Sequence, residues 1–185
     1  MEHQGTKPLT SSRLHLRAFT LADAPAMFRN WANDAAVTEF LRCPPHERVD
    51  VTRAVLANWV AQYQNSAYYQ WAICTADDVP VGSIGVVSQI DEMLHIGYCL
   101  GRAWWHKGYM REALAAVLDY LFCVVGAPRI ESQHDTQNPR SGAVMLACGM
   151  RYTHTTFGDD INQRGICDSA HYELTREDYI KEKKR

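Results

Sequence analysis

Ten residues constrain this chain more than any others: Trp104-Trp105-His106-Lys107-Gly108-Tyr109-Met110-Arg111-Glu112-Ala113. An alternating apolar run leads into them, and the clearest amphipathic helix of the sequence leads out. That helix carries Met110, Leu114, Val117, Leu118, Leu121, Phe122 and Val125 at spacings of three and four, which makes one apolar face. Gly126 and Pro128 close it in the order expected of a helix C-terminus. A strand that turns through a small basic loop into a helix N-terminus aims free N–H groups and the positive end of the helix dipole in one direction. The turn is therefore a ready anion site.

The remaining chain reads as a frame for this turn. Arg13 to Phe19 alternates and suggests a first strand. Thr20 with Asp23 has capping-box spacing and opens a short helix over Ala22 to Trp31 that ends near Asn33-Asp34. After the break at Cys43-Pro44-Pro45, a second helix runs from about Glu47 to Tyr63, with Val51, Val55, Trp59 and Gln62 as its stripe. Tyr68–Thr75, Val81–Val87 and Met93–Leu100 are strands separated by short turns, an antiparallel meander. Arg129–His134 is a short strand. Asn138 caps a helix with Pro139 at its first position, and Gly149 ends it. Met150–Phe157 and Ile166–Thr175 form a last strand pair across the polar loop Gly158 to Gly165. The order β-α-α-β-β-β-α-β-α-β-β predicts a mixed, largely antiparallel α/β sheet of about seven strands, with about four helices on its two faces.

Composition limits the partners. The 185 residues suit one domain over 1–185, with a core at about 12–179, a polar N-terminus and a solvated basic tail from Tyr179 to Arg185. A net charge of −2 gives no general attraction to nucleic acid or anionic membrane. No apolar run approaches the ~20 residues of a membrane span. Cys43, Cys74, Cys99, Cys123, Cys148 and Cys167 are scattered without a C-x-x-C pair, so neither a disulfide framework nor a metal site is expected, and a reducing, cytoplasmic compartment follows.

Four segments carry a family resemblance: His95-Ile96-Gly97-Tyr98-Cys99-Leu100, the turn from Trp105 to Ala113, Asn138-Pro139-Arg140-Ser141, and Cys148-Gly149-Met150. In this order and spacing the chain resembles the GNAT superfamily of acyl-CoA-dependent N-acetyltransferases. Within it, the chain looks like the Rim-type branch that includes the ribosomal-protein N-terminal acetyltransferases. The family's phosphate loop is written Q/R-x-x-G-x-G/A. Gly108 fits its central glycine, while Trp105 and Met110 replace its first and last members.

The resemblance implies acetyl-CoA as donor, with its pyrophosphate on the amides of His106, Lys107, Gly108, Tyr109, Met110 and Arg111. It implies a sheet splayed between the fourth and fifth strands, where a backbone N–H near Cys99 or Leu100 faces the thioester carbonyl. Gly97 in mid-strand fits a bulge or a close approach. His95 stands where many relatives carry Glu. It is a candidate general base for the incoming amine, since neutral imidazole accepts a proton near neutral pH; a half-buried histidine with a structural hydrogen bond is the equal alternative.

Asn138 is expected beside the CoA arm, and Ser141 toward the thioester sulfur as a donor to the departing thiolate. The family's usual tyrosine acid is absent, because Met145 takes its position. An acyl intermediate on Cys99 is not expected, because no motif supplies it with a base. His134-Asp135 is a weak dyad candidate, since adjacent strand residues face opposite sides. Tyr98 is read as core more readily than as acceptor lining.

The implied partners are acetyl-CoA and an amine acceptor, a protein or peptide N-terminus or a small molecule. The acceptor pocket is expected from the Trp31 to Arg53 region and the Gly158 to Gly165 loop. A noncatalytic acyl-CoA-binding or sensing module is the reading from another class. Oligomeric state, a homodimer included, is open.

Overall fold

A computed structural model describes residues 1–184. The strands are β1 (Leu9–Thr10), β2 (His15–Arg17), β3 (Gln70–Cys74), β4 (Pro80–Ile90), β5 (Met93–Leu100), β6 (Arg129–Asp135), β7 (Arg151–Asn162) and β8 (Gly165–Thr175). They form one open eight-stranded sheet in the order β1-β2-β3-β4-β5-β6-β8-β7. All neighbours are antiparallel except β5 and β6.

The helices are α1 (Ala24–Met27), α2 (Ala35–Thr38), α3 (Val49–Gln62), α4 (Tyr109–Tyr120), α5 (Pro139–Ala147) and α6 (Arg176–Lys183). One π turn over Phe28–Ala32 extends α1, and another over Leu121–Val125 extends α4. None of the helices among the described residues is long and apolar enough to cross a membrane.

The two faces of the sheet carry two cores. On one, α4 presents the apolar stripe that its spacing predicts, and Leu114, Val117, Leu118, Leu121 and Phe122 are all fully buried against Trp71, Ile84, Leu94 and Ile96. Deleting one such leucine costs ~2–5 kcal/mol. On the other, α1 and α3 cover the sheet through Phe19, Met27, Trp31 and Leu56. The capping box at Thr20 is present: Thr20 N donates to Asp23 Oδ2 at 2.8 Å. Arg17 then clamps the same carboxylate with two bonds of 2.9 Å each.

Several expectations need correction. The stripe of α3 centres on Thr52 and Leu56, both fully buried, with Val55 and Trp59 at its flank and Val51 40% exposed. Thr52 can enter the core because its hydroxyl bonds His46 Nδ1 at 2.8 Å, a pairing that hydrophobic periodicity does not register. The sheet has eight strands because the polar N-terminus adds β1 and is tied down by backbone acceptors: Tyr120 OH donates to Gly5 O and Trp71 Nε1 to Lys7 O, each at 2.7 Å.

The polar stretch 158–165 is mostly strand, irregular between Thr156 and Asp160, with the turn confined to Asn162–Gly165. Its side chains are polar because β7 is a sheet edge facing solvent. The basic tail folds into α6, with Glu177 and Asp178 in the first turn and Lys181 and Lys183 in the last, a charge order that suits the helix dipole. Tyr179 stacks on Phe122 with centroids 5.0 Å apart, its hydroxyl donates to Asp119 Oδ1 at 2.9 Å, and Lys183 pairs with the same carboxylate. The end of that predicted tail, residue 185, lies outside the described residues.

Candidate active site

After β5 ends at Leu100, a 3₁₀ turn over Arg102–Trp104 and then Trp105 to Gly108 lead into α4, and two residues enter the left-handed region: His106 at φ +61° and Gly108 at φ +76°. A non-glycine residue there is uncommon and costs ~1–2 kcal/mol, so the strain at His106 marks the loop as a shaped one. Glu112 N is the first amide to close onto a helical carbonyl, Gly108 O at 3.1 Å. The amides of Tyr109, Met110 and Arg111 therefore point out of the helix end. Lys107 and Arg111 are exposed and have no ion-pair partner among the described residues, and the Arg140 guanidinium lies 5.8 Å from the Trp105 ring. Lys107 and Arg111 thus flank the start of α4, with Arg140 beside Trp105. Trp105, in the unusual first position of the loop, donates its indole N–H to Leu100 O at 2.7 Å and so fastens the loop to β5.

A second anchor was not legible beforehand. The Glu112 carboxylate, 15% exposed, accepts from Ser11 Oγ at 2.6 Å, Ser12 Oγ at 2.9 Å and Arg13 N at 2.7 Å, and pairs with the Arg13 guanidinium at 2.8 Å. Arg13 Nη1 also donates to Lys107 O at 3.0 Å, and the guanidinium lies 4.7 Å from the Tyr109 ring. Burial alone would raise the Glu112 carboxyl, but the bonds from Ser11, Arg13 and Ser12 hold it down at about 2.

A depressed carboxyl stabilises the fold above its unfolded value, near ~4.3, and that stabilisation is lost as pH falls through about 2. With solvent on the Arg13 side, we expect Glu112→Gln to cost ~1–2 kcal/mol at pH 7. Thermal melts of both proteins from pH 7 to pH 3 should show the gap narrowing with acid; a pH-independent gap would mean the carboxylate charge is not what holds the loop.

Next to this turn the sheet opens. Strands β5 and β6 pair only at Met93–Arg129, Leu94–Ile130 and His95–Glu131. Beyond them Ser132 Oγ reaches Ile96 O at 2.8 Å, and the strands then diverge. The bond from Gly101 N to Val81 O, 2.8 Å, sets the phase of β5. Because successive amides alternate sides, the 99 and 101 amides face β4, while those of Tyr98 and Leu100 face the gap. The splay is where it was expected. Of the two candidate amides, Leu100 lies on the open edge, and Cys99 is turned away.

The Cys99 side chain packs toward α1 and α3, with Sγ 3.4 Å from Ser83 Oγ, and burial pushes its thiol up. A protonated, enclosed thiol is a poor nucleophile, which agrees with the exclusion of an acyl-cysteine. Gly97 meets the close approach its position suggested. A Cβ there would lie 2.7 Å from Val87 Cγ1, beside the bulge between Val86 and Ser88.

Helix α5 closes the far side of the gap. Asn138 occupies the cap position but makes no side-chain capping bond; its Nδ2 donates instead to Ser141 Oγ at 3.1 Å. The serine hydroxyl is an acceptor there and keeps its own proton to give. Tyr98 OH donates to Ser141 O at 2.9 Å, so this tyrosine belongs to the α5 side, as core, and does not line the acceptor face. Met145 is 1% exposed and purely apolar packing. His134 and Asp135 do not form a dyad: the imidazole contacts the Asp135 backbone carbonyl at 2.7 Å, while the carboxylate takes Asn162 Nδ2 at 2.7 Å.

His95 sits at the crotch of the splay, on the opposite face from α4. Its side chain is 18% exposed, and among the described residues neither ring nitrogen has a hydrogen-bond partner. No buried side-chain nitrogen or oxygen there lacks a partner, so these nitrogens reach accessible surface. The structural-hydrogen-bond alternative for His95 is therefore not met. Burial pushes the imidazole below its ordinary value, against the opposing pull of Glu131.

Around it lie Glu131, whose Oε2 is 3.9 Å from His95 Nδ1, then His171, Gln133 and Asp160. The two segments expected to frame the acceptor side meet: Arg42 pairs with Asp160 at 2.7 Å, Arg164 with Glu39 at 3.1 Å, and Gln163 Nε2 donates to Arg42 O at 3.0 Å. Three possible metal donors, His15, Cys74 and Asp78, also converge. The Arg17 guanidinium already holds the Asp78 oxygen at 2.7 Å, and burial pushes the Cys74 thiol up to about 12, a donor set unsuited to a cation.

A family model described as an acetyltransferase (GNAT) domain matches residues 13–151. The chain belongs to that family. It is 29% identical over 146 residues, 77% of this chain and 82% of the relative, to the uncharacterized N-acetyltransferase YoaA of Bacillus subtilis. Among solved structures it is similar to RimL, a ribosomal alpha-N-protein acetyltransferase in complex with coenzyme A, with TM-score 0.82, 17% identity and coverage of 93% and 99% of the two chains. It is also similar to a chimera of the Vibrio cholerae spermidine N-acetyltransferase SpeG with hSSAT, with TM-score 0.77, 16% identity and coverage of 91% and 99%. The shared feature is the fold, and the acceptors named for these two structures differ.

Proposed function

We propose that this chain transfers the acetyl group of acetyl-CoA directly to a primary amine, with a protein or peptide α-amine as its preferred acceptor. The observation that carries the reading is the unpaired edge of β5: pairing with β6 ends at His95–Glu131, and from there the edge runs to the turn that opens α4. The residues present fit the donor. Gly108 puts no side chain at the start of α4, the Tyr109 to Arg111 amides and Lys107, Arg111 and Arg140 suit a pyrophosphate, and the gap-facing amides of Tyr98 and Leu100 suit an extended arm with amide groups. RimL, whose structure contains coenzyme A, has the same fold.

In the proposed reaction the amine nitrogen bonds to the thioester carbonyl carbon as the C–S bond breaks. A β5 amide donates to the carbonyl oxygen where negative charge develops, a kind of contact worth ~2.7–4 kcal/mol in acyl transfer. Neutral His95 takes the proton released from nitrogen. Ser141, whose Oγ accepts from Asn138 and keeps its proton, donates a hydrogen bond to the departing thiolate.

An α-amine, with pKa ~7.7–8.0, is roughly a tenth neutral at pH 7, whereas a lysine ε-amine near ~10.4 is well under a thousandth. The former asks less of an imidazole. A polyamine would need unpaired carboxylates. Asp160 is already held by Arg42 and Gln133, and Glu39 by Arg164.

Release of CoA measured with three acceptors tests the assignment: a lysine-free peptide, an N-terminally blocked peptide with one lysine, and spermidine. The free α-amine should give a kcat/KM at least ~10-fold above the others. A higher value for spermidine would move the assignment to small amines. Tight CoA binding with no turnover would indicate a noncatalytic module.

A further inference from the structure

The last paired position of β5 and β6 puts His95 directly beside Glu131. Glu131 is 16% exposed and its two oxygens face two imidazoles: Oε1 lies 2.8 Å from His171 Nδ1, and Oε2 lies 3.9 Å from His95 Nδ1. His171, on β8, is 11% exposed and fully committed. Its Nε2 is 2.9 Å from Thr156 Oγ1, and its ring stacks on His154 with centroids 4.4 Å apart at 7°. A carboxylate oxygen only accepts, so His171 carries a proton on Nδ1 and donates it to Glu131. The fold thus orients this carboxylate from one side and leaves its second oxygen toward His95.

We infer that Glu131, locked by His171, is the positioning residue for His95: it selects the tautomer with the proton on Nδ1, leaves Nε2 as the acceptor for the amine proton, and stabilises the imidazolium that results. This rests on the reading of His95 as the base. A group that shares a half-buried site with an imidazole acts in two ways. It fixes which nitrogen is basic, and it lowers the cost of charging the ring. The 3.9 Å separation is an ion-pair distance, and catalytic bonds often tighten only in the reacting complex.

The titratable and charged groups that face His95 are Glu131 from β6, His171 from β8, Asp160 from β7 and Arg42 from the segment after α2. The carboxylates favour the charged ring, and His171 and Arg42 oppose it. Removing the Glu131 charge therefore makes His95 harder to protonate, and the acidic limb of the rate profile should move to lower pH.

The test is the single-turnover acetyl-transfer rate from pH 5 to 9 for the wild type, His95→Ala, Glu131→Gln, Glu131→Asp and His171→Asn, with CoA affinity measured alongside. Glu131→Gln should lower the rate ~10–100-fold at pH 7, shift the acidic limb down, and leave CoA affinity unchanged. Glu131→Asp should recover part of the rate, and His171→Asn should fall between. A strong loss in His95→Ala, with wild-type rate and an unmoved limb in Glu131→Gln, would overturn the positioning role and leave the base in place. Full activity in His95→Ala would remove the base, and the positioning role with it. If Glu131→Gln fails to fold, the pH 7 rates of the other two variants decide the matter: a loss in His171→Asn with CoA affinity unchanged supports the positioning role, and wild-type rates in both Glu131→Asp and His171→Asn overturn it.

Discussion

Replacing His95 with alanine is expected to lower the rate of acetyl transfer by ~10²–10⁴-fold, the usual contribution of a positioned general base, while CoA affinity stays within about twofold. The separation follows from the geometry. His95 lies on the α1–α3 side of β5, at the last residue pair before the splay. The N-terminus of α4, where the phosphates are proposed to sit, lies beyond Leu100. Burial sets the histidine below its ordinary value, so at pH 7 it is a ready acceptor, and the acidic limb of wild-type kcat should lie below pH ~6.5. Steady-state and single-turnover rates of the variant against pH check this. A rate equal to wild type across the range would show that the amine loses its proton to water unaided.

Gly108→Val should give the largest loss of cofactor affinity, a rise in CoA Kd of ~10–100-fold. Gly108 takes φ +76° at the entrance to α4, where a β-branched side chain costs ~1–2 kcal/mol of strain. A Cβ there meets only Arg13 Nη2, at 3.5 Å, so the protein should fold with a melting temperature a few degrees lower, roughly 2–8 °C. The affinity loss comes from relaxing the backbone that aims the first amides of α4, and from placing an isopropyl group where a phosphate must approach.

Gly126→Val is the control. It has the same backbone demand, φ +74°, with nothing within 4 Å of its Cβ, at the other end of the same helical segment. It should lower the melting temperature comparably and leave Kd unchanged. Equal effects of both variants on Kd would mean that general destabilisation, not the α4 N-terminus, governs binding.

The sequence carried the parts of this molecule that repeat a local pattern. The α4 stripe from Met110 to Val125, the Gly126 terminus and the meander all follow from periodicity and turn chemistry, and the structure has them. The resemblance placed the splay between β5 and β6. What stayed hidden depends on partners distant in the chain. Glu112 looked like an ordinary first-turn acid, yet Ser11, Ser12 and Arg13, about a hundred positions away, define its role. Glu131 and His171 are separated by forty residues and meet only because β6 and β8 are neighbours.

The α3 stripe was rotated by one position because Thr52, polar by composition, is buried through a bond to His46. The segment from Gly158 to Gly165 looked like a loop because it is polar. A solvent-facing edge strand has the same composition.

The CoA thioester is proposed to lie along the open edge of β5 and against the start of α4. Amide-resolved hydrogen exchange with and without CoA tests it most directly. The account predicts added protection at the gap-facing amides of Tyr98 and Leu100 and at Tyr109, Met110 and Arg111, with no change at the 99 and 101 amides already bonded to β4. Unchanged exchange at these five amides under saturating CoA, or protection confined to the surface groove at Gly126, Thr175 and Glu177, would contradict it.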